Sequence, residues 1–150
     1  MPNRRTHTAV GAPSGLACSV FTSLGQDFPD FITECFGGLC GGWTGAALPD
    51  IIDPPNHPGH RSLGHGLVPV GAGLVFWAEN LGSWQDSLRR LANEHQMQQI
   101  TAQDPLASLG HLLAELFFRF LAGFLAGLGA GYYSHIILDH GTPRCIPFVA

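Results

Sequence analysis

Residues 116–138 read LFFRFLAGFLAGLGAGYYSHIIL, the longest apolar run in the chain, with Arg119 as its one charge. A helix that crosses a bilayer needs about 20 mostly apolar residues, and this run is long enough. Gly123, Gly127 and Gly131 recur every fourth position. On a helix they make one small-residue face that lets a second backbone come close. That face serves internal packing or, alternatively, self-association into a homo-oligomer. The whole apolar segment spans roughly 109–138. Three weaker ones precede it, at roughly 9–24, 31–48 and 66–81. No run alternates apolar and polar residues over several positions, so β-structure has no support. The expected fold is all-α: an up-down bundle of four main apolar helices, membrane-embedded or membrane-associated. A polar helix is expected between the third and fourth, because QDSLRRLANEHQMQQI (85–100) spaces Leu88, Leu91 and His95 at helical intervals. On that reading Arg89, Arg90, Glu94 and His95 form a solvated face.

Composition narrows the function classes. The 150 residues suit one domain, here taken as 1–150. Charged residues are 12% and apolar residues 45%, which excludes a disordered, charge-rich chain. There is no Lys, all seven cations are Arg, and the net charge is −4. Nucleic-acid binding through a broad basic surface is therefore not expected. Cys18, Cys35, Cys40 and Cys145 show no CxxC spacing and read as free packed thiols. Arg4-Arg5 ahead of an apolar run is a weak secretion signal, since Thr6, His7 and Thr8 follow the pair. If all four segments cross, Arg4, Arg5, Arg61 and Arg144 lie on the cytoplasmic side of the inner membrane, against Arg89 and Arg90 outside.

The eight histidines carry the chemistry. Three polar clusters interrupt the apolar chain: His7; LPDIIDPPNHPGHRSLGH (48–65), with Asp50, Asp53, His57, His60 and His65; and SHIILDHGTP (134–143), with His135, Asp139 and His140. Up-down connectivity brings all three to one end of the bundle. His135 and Asp139 are four apart and stack on one helix face, while Asp50 and Asp53, three apart, share another. Imidazoles and carboxylates converging from separate helices make a ligand set for Zn, Mn or Fe. His57 and His140 are secondary candidates. His95 and His111 read as structural histidines, and His111, Glu115 and Arg119 as a polar stripe along one helix.

These motifs resemble the YdjM-like family of inner-membrane-associated metal-dependent hydrolases. The matching residues are His7, Leu48-Pro49-Asp50-Ile51-Ile52-Asp53, Gly59-His60-Arg61 with His65, and Gly131-Tyr132-Tyr133-Ser134-His135-Ile136-Ile137-Leu138-Asp139 followed by Thr142-Pro143. The family places hydroxyl residues around the second His of its middle motif, where this chain has Gly64 and Gly66. The motif order is also distantly similar to zinc-dependent phospholipase C and related zinc nucleases. That similarity implies one metal on Asp50 or Asp53, His65, His135 and Asp139, and a second on His7 with Asp139 shared. The ligand candidates are thus His7, Asp50, Asp53, His60, His65, His135 and Asp139, for one or two ions, zinc first and manganese second. The catalytic candidates are Asp50 or Asp53 as general base and Arg61 as a phosphate anchor, with Arg144 behind it. The expected activity is hydrolysis of a phosphoester, with a phospholipid headgroup as one substrate class. Two other functions stay open: a membrane interaction protein with a structural or degenerate metal site, and an ion transporter. Ligands gathered at one end favour hydrolysis, and ligands strung along the bundle axis favour transport.

Overall fold

The double-glycine pattern FGGLCGGWTGAAL (36–48) organises the bundle, because it gives one helix two small faces. A computed structural model describes residues 4–52 and 67–140. It contains four helices: α1 (Arg4–Thr22), α2 (Phe28–Ile52), α3 (Leu67–Thr101) and α4 (Pro105–His140). The expected all-α architecture is present, and no described residue is in a strand. On α2, Gly37, Gly41 and Gly45 lie against the α4 backbone at Phe120, Phe124 and Leu128. One residue further on, about 100° around the helix, Gly38 and Gly42 lie against α1 at Gly15, Ser19 and Gly11. Gly123, Gly127 and Gly131 of α4 face back onto α2 at Glu34, Gly38 and Gly42. The α4 glycine ladder is therefore used as an internal contact between α4 and α2. Helix α4 packs on all three others, whereas the backbone of α3 packs on α4 alone.

The ends of the helices have local causes. After α1, Gly25 adopts φ of 92°, a left-handed conformation that glycine takes without a Cβ penalty. Before α4, Asp104 caps the helix, its carboxylate accepting from the N–H groups of Leu106 (3.3 Å) and Ala107 (3.2 Å). Pro105 then occupies the first helical position, where no N–H is needed.

One feature differs from the expectation. The polar stretch after residue 83 is not a separate helix but the second half of a continuous 35-residue α3. No proline occurs between 71 and 104, so nothing stops the helix where its composition changes. The core, moreover, is small and the surface large. Ala46, Ala47, Ala92, Ala122 and Ala126 are buried, while Phe21, Phe28, Phe36, Trp43, Phe76 and Phe117 are more than half exposed. This inverts the usual partition of large apolar side chains in water-soluble proteins. Helix α4 is long and apolar enough to cross a membrane. Cys18, Cys35 and Cys40 are free thiols, and Cys145 lies outside the described residues.

Candidate metal centre

Three helices bring four of the expected residues to one end. His7 comes from the first turns of α1, Asp50 from the last turn of α2, and His135 and Asp139 from the end of α4. His7, His135 and Asp139 are almost fully enclosed, with 2%, 0% and 3% of their surface exposed. The Asp50 side chain keeps 26% and is the more open carboxylate. The imidazoles of His7 and His135 stack, with centroids 3.7 Å apart at 16°. Asp139 presents one oxygen to each: Oδ1 lies 3.5 Å from His7 Nε2, and Oδ2 lies 3.6 Å from His135 Nε2. Asp50 Oδ1 stands 3.7 Å from the same His135 nitrogen.

These distances bear on two kinds of cluster. Charge-assisted hydrogen bonds between imidazolium and carboxylate run about 2.7–2.9 Å, well short of the 3.5–3.7 Å found here. Donors about 2.0–2.1 Å from a tetrahedral zinc stand about 3.3–3.4 Å from one another. The contacts found run to different oxygens of Asp139 and are too long for short charge-assisted hydrogen bonds, and the group is one that could hold a cation. One donor atom each from His7, His135 and Asp139 falls within a mutual 4.8 Å.

The second nitrogen of His135 fixes the tautomer. Its Nδ1–H donates to the Ala46 carbonyl at 2.6 Å, which leaves the Nε2 lone pair directed at the cluster. Ala46 sits in the turn before Pro49, whose ring crowds the preceding turn and which has no N–H of its own. The proline of the Leu-Pro-Asp motif thus lies beside the carbonyl that orients the histidine.

Of the remaining candidates, Asp53, His57, His60, Arg61, His65 and Arg144 lie outside the described residues. His140 ends α4 on an exposed position.

A second polar layer, at the opposite end of the apolar band, was not legible as a unit. Glu34 is fully buried and takes a bidentate contact from Arg89, Nε to Oε1 at 2.9 Å and Nη2 to Oε2 at 2.6 Å. Ser23 donates to the same carboxylate at 2.6 Å. Arg119 pairs with Asp30 at 2.6 Å and donates to Gln26 and Asn93. Arg89 is therefore no part of a solvated face, and Arg119 no part of a stripe confined to its own helix. Both correct the sequence expectation. The signal was present in Glu34, the one charge of segment 31–48, and Arg119, the one charge of the run 116–138. Sixteen residues separate Glu34 from Asp50 on α2 and Arg119 from His135 on α4. At about 1.5 Å per residue, the two polar layers stand about 24 Å apart. His95 and His111 meet beyond that second layer, Nδ1 to Nδ1 at 3.1 Å.

No protein family, curated protein or solved structure matches this chain.

Proposed function

We propose that this chain is a membrane-associated, metal-dependent phosphoester hydrolase whose cation is held by His7, His135 and Asp139. The observation that supports the reading is the buried cluster of His7, His135 and Asp139, with one donor atom of each within 4.8 Å of the others. Two imidazoles and one carboxylate belong to the donor sets typical of zinc, and manganese is the second choice. A divalent cation held by His7, His135 and Asp139 would supply a water acidified toward a pKa of about 7 and would polarise a phosphoryl oxygen. Asp50, the more open carboxylate, accepts the proton of the attacking water as general base. The Ala46 carbonyl keeps the His135 ring oriented, and Asp139 links the two imidazoles. Arg61 is assigned to anchor the phosphate bidentately, and Asp53, His60 and His65 to complete the centre, on the resemblance to the YdjM-like hydrolases.

Association with a bilayer, the inner membrane on the same resemblance, is supported by the outward-facing aromatic residues and by α4. The arginine distribution favours a cytoplasmic N-terminus and metal end. Gathering of the ligands at one end favours hydrolysis over transport along the bundle. A second reading, a structural metal site in a membrane interaction protein, draws on the near-complete burial of His7, His135 and Asp139.

Asp50→Asn separates these two. For the hydrolase, the variant keeps its metal and loses about 10²–10⁴-fold in phosphodiester hydrolysis, read with purified protein in detergent under added zinc or manganese. Metal-loaded wild type that is inert toward every phosphoester offered rejects the hydrolase in favour of the structural site.

A further inference from the structure

The face of α4 that packs on α2 continues beyond the point where α2 ends. Gly123 and Gly127 lie against Glu34 and Gly38 of α2. Leu116 stands seven residues before Gly123, and Leu113 fourteen before Gly127, so helix periodicity puts both on that same face. Leu109 and Leu106 continue it one heptad further. Helix α2, however, begins at Phe28, level with the Asp30–Arg119 pair. Past that level the face is bare among the described residues: Leu106, Leu109, Leu113, Leu116 and Phe117 are between 39% and 76% exposed. Gly110 is a second observation. It is exposed, and a Cβ on it would meet nothing within 4 Å, so no contact among the described residues accounts for a glycine there. Glycine weakens an exposed helix. With Leu106, Leu109 and Leu113 it forms the four-residue diamond that receives a side chain of a facing helix, and the missing Cβ deepens that hollow.

From these placements we infer that the stripe from Leu106 to Phe117 docks on the same stripe of a second copy, across a two-fold axis. Such an interface is its own complement: a leucine of each copy enters the Gly110 hollow of the other. At roughly 200 Å² for a fully exposed large side chain, each stripe offers roughly 550 Å² of apolar surface. Two stripes then offer roughly 1,100 Å², against about 1,000 Å² for a stable interface. Because α2 fills this face from Phe120 on, the two α4 helices cross at the stripe and diverge toward the metal end. The commonest helix crossing, about 50°, provides that divergence. A lipid covering is opposed by position and by charge. The two polar layers, about 24 Å apart, nearly span a hydrocarbon core of about 30 Å. From Arg119 back to Pro105 the α3–α4 arm extends about 21 Å past the outer layer, and its α3 side exposes Arg90, Glu94, Gln96 and Gln98. Helices that lie on a bilayer are rich in Lys or Arg on their polar face. Residues 90–114 hold Arg90 alone against Glu94 and Asp104. The dimer is independent of the hydrolase reading and of the metal.

The test places the photo-cross-linker p-benzoylphenylalanine at position 113 of the full chain, reconstituted in phosphatidylcholine–phosphatidylglycerol vesicles. Illumination is expected to give a covalent dimer whose cross-link maps to residues 105–118 of the second copy. Gly110→Leu fills the hollow in both copies at once and lowers the dimer yield about tenfold. That variant keeps its helicity and melting temperature, since the position is open in the single chain and leucine favours helix over glycine. Leu109→Glu is a second variant, which sets like charges across the axis and removes the dimer as well. Gly82→Leu, at an open position away from the stripe, leaves the yield unchanged. Adducts to lipid in place of the second copy overturn the dimer in favour of an arm lying on the bilayer. Cross-linking to no second copy, or a dimer yield indifferent to both Gly110→Leu and Leu109→Glu, overturns it too.

Discussion

Gly127→Leu is expected to leave no folded bundle. Gly127 lies where α4 crosses α2, and a Cβ there runs into the backbone of Gly38 and Gly42. A colliding side chain can change rotamer, but a colliding backbone cannot, so the two helices must separate. Separation also strips the contacts that Gly123 and Gly131 make on the same face. Ordinary overpacking costs about 1–3 kcal/mol. Losing a whole helix–helix seam exceeds that and takes a large part of the roughly 5–15 kcal/mol that holds a domain together. Gel filtration and circular dichroism in detergent check the outcome, with Gly82→Leu as the control. A Cβ at Gly82 meets nothing within 4 Å, so that variant is expected to behave as wild type. A monodisperse Gly127→Leu protein with an unchanged melting temperature would contradict the packing described.

Glu34→Ala is expected to cost about 3–5 kcal/mol, because it leaves the Arg89 guanidinium without its buried partner. Only 15% of the Arg89 side chain and none of Glu34 is exposed, so water does not replace the lost contact. Ser23 loses its acceptor in the same change. In a chain of this size the melting temperature falls on the order of 10 °C. Joint replacement by Glu34→Met and Arg89→Met recovers most of that loss, since removing both charges leaves none uncompensated. A Glu34→Ala protein that melts with wild type would remove this pair from the account of stability.

What the sequence disclosed followed from its periodicity and its order. The spacing of HxxxD put His135 and Asp139 on one face, and counting helix reversals put His7 and Asp50 beside them. Both placements follow from helix geometry alone. The choice between Asp50 and Asp53 stayed open because residues three apart share a face. In the structure Asp50 stands against His135, and Asp53 lies outside the described residues. The continuity of α3 was hidden because a change from apolar to polar composition resembles a boundary, while the backbone responds to breakers and finds none. The Glu34–Arg89 pair was hidden for another reason: its members are 55 residues apart, and no local pattern links them. The double glycines of α2 sort α1 and α4 onto adjacent faces only once their partners are in place.

The central claim is that the polar end of this bundle is a cation site. Elemental analysis of detergent-purified protein, beside the Asp139→Ala variant, tests it most directly. The account predicts at least one equivalent of zinc or manganese per wild-type chain and its loss in Asp139→Ala, with helicity retained. Wild-type protein that holds no divalent metal after reconstitution, or a variant that holds as much as wild type, would contradict it.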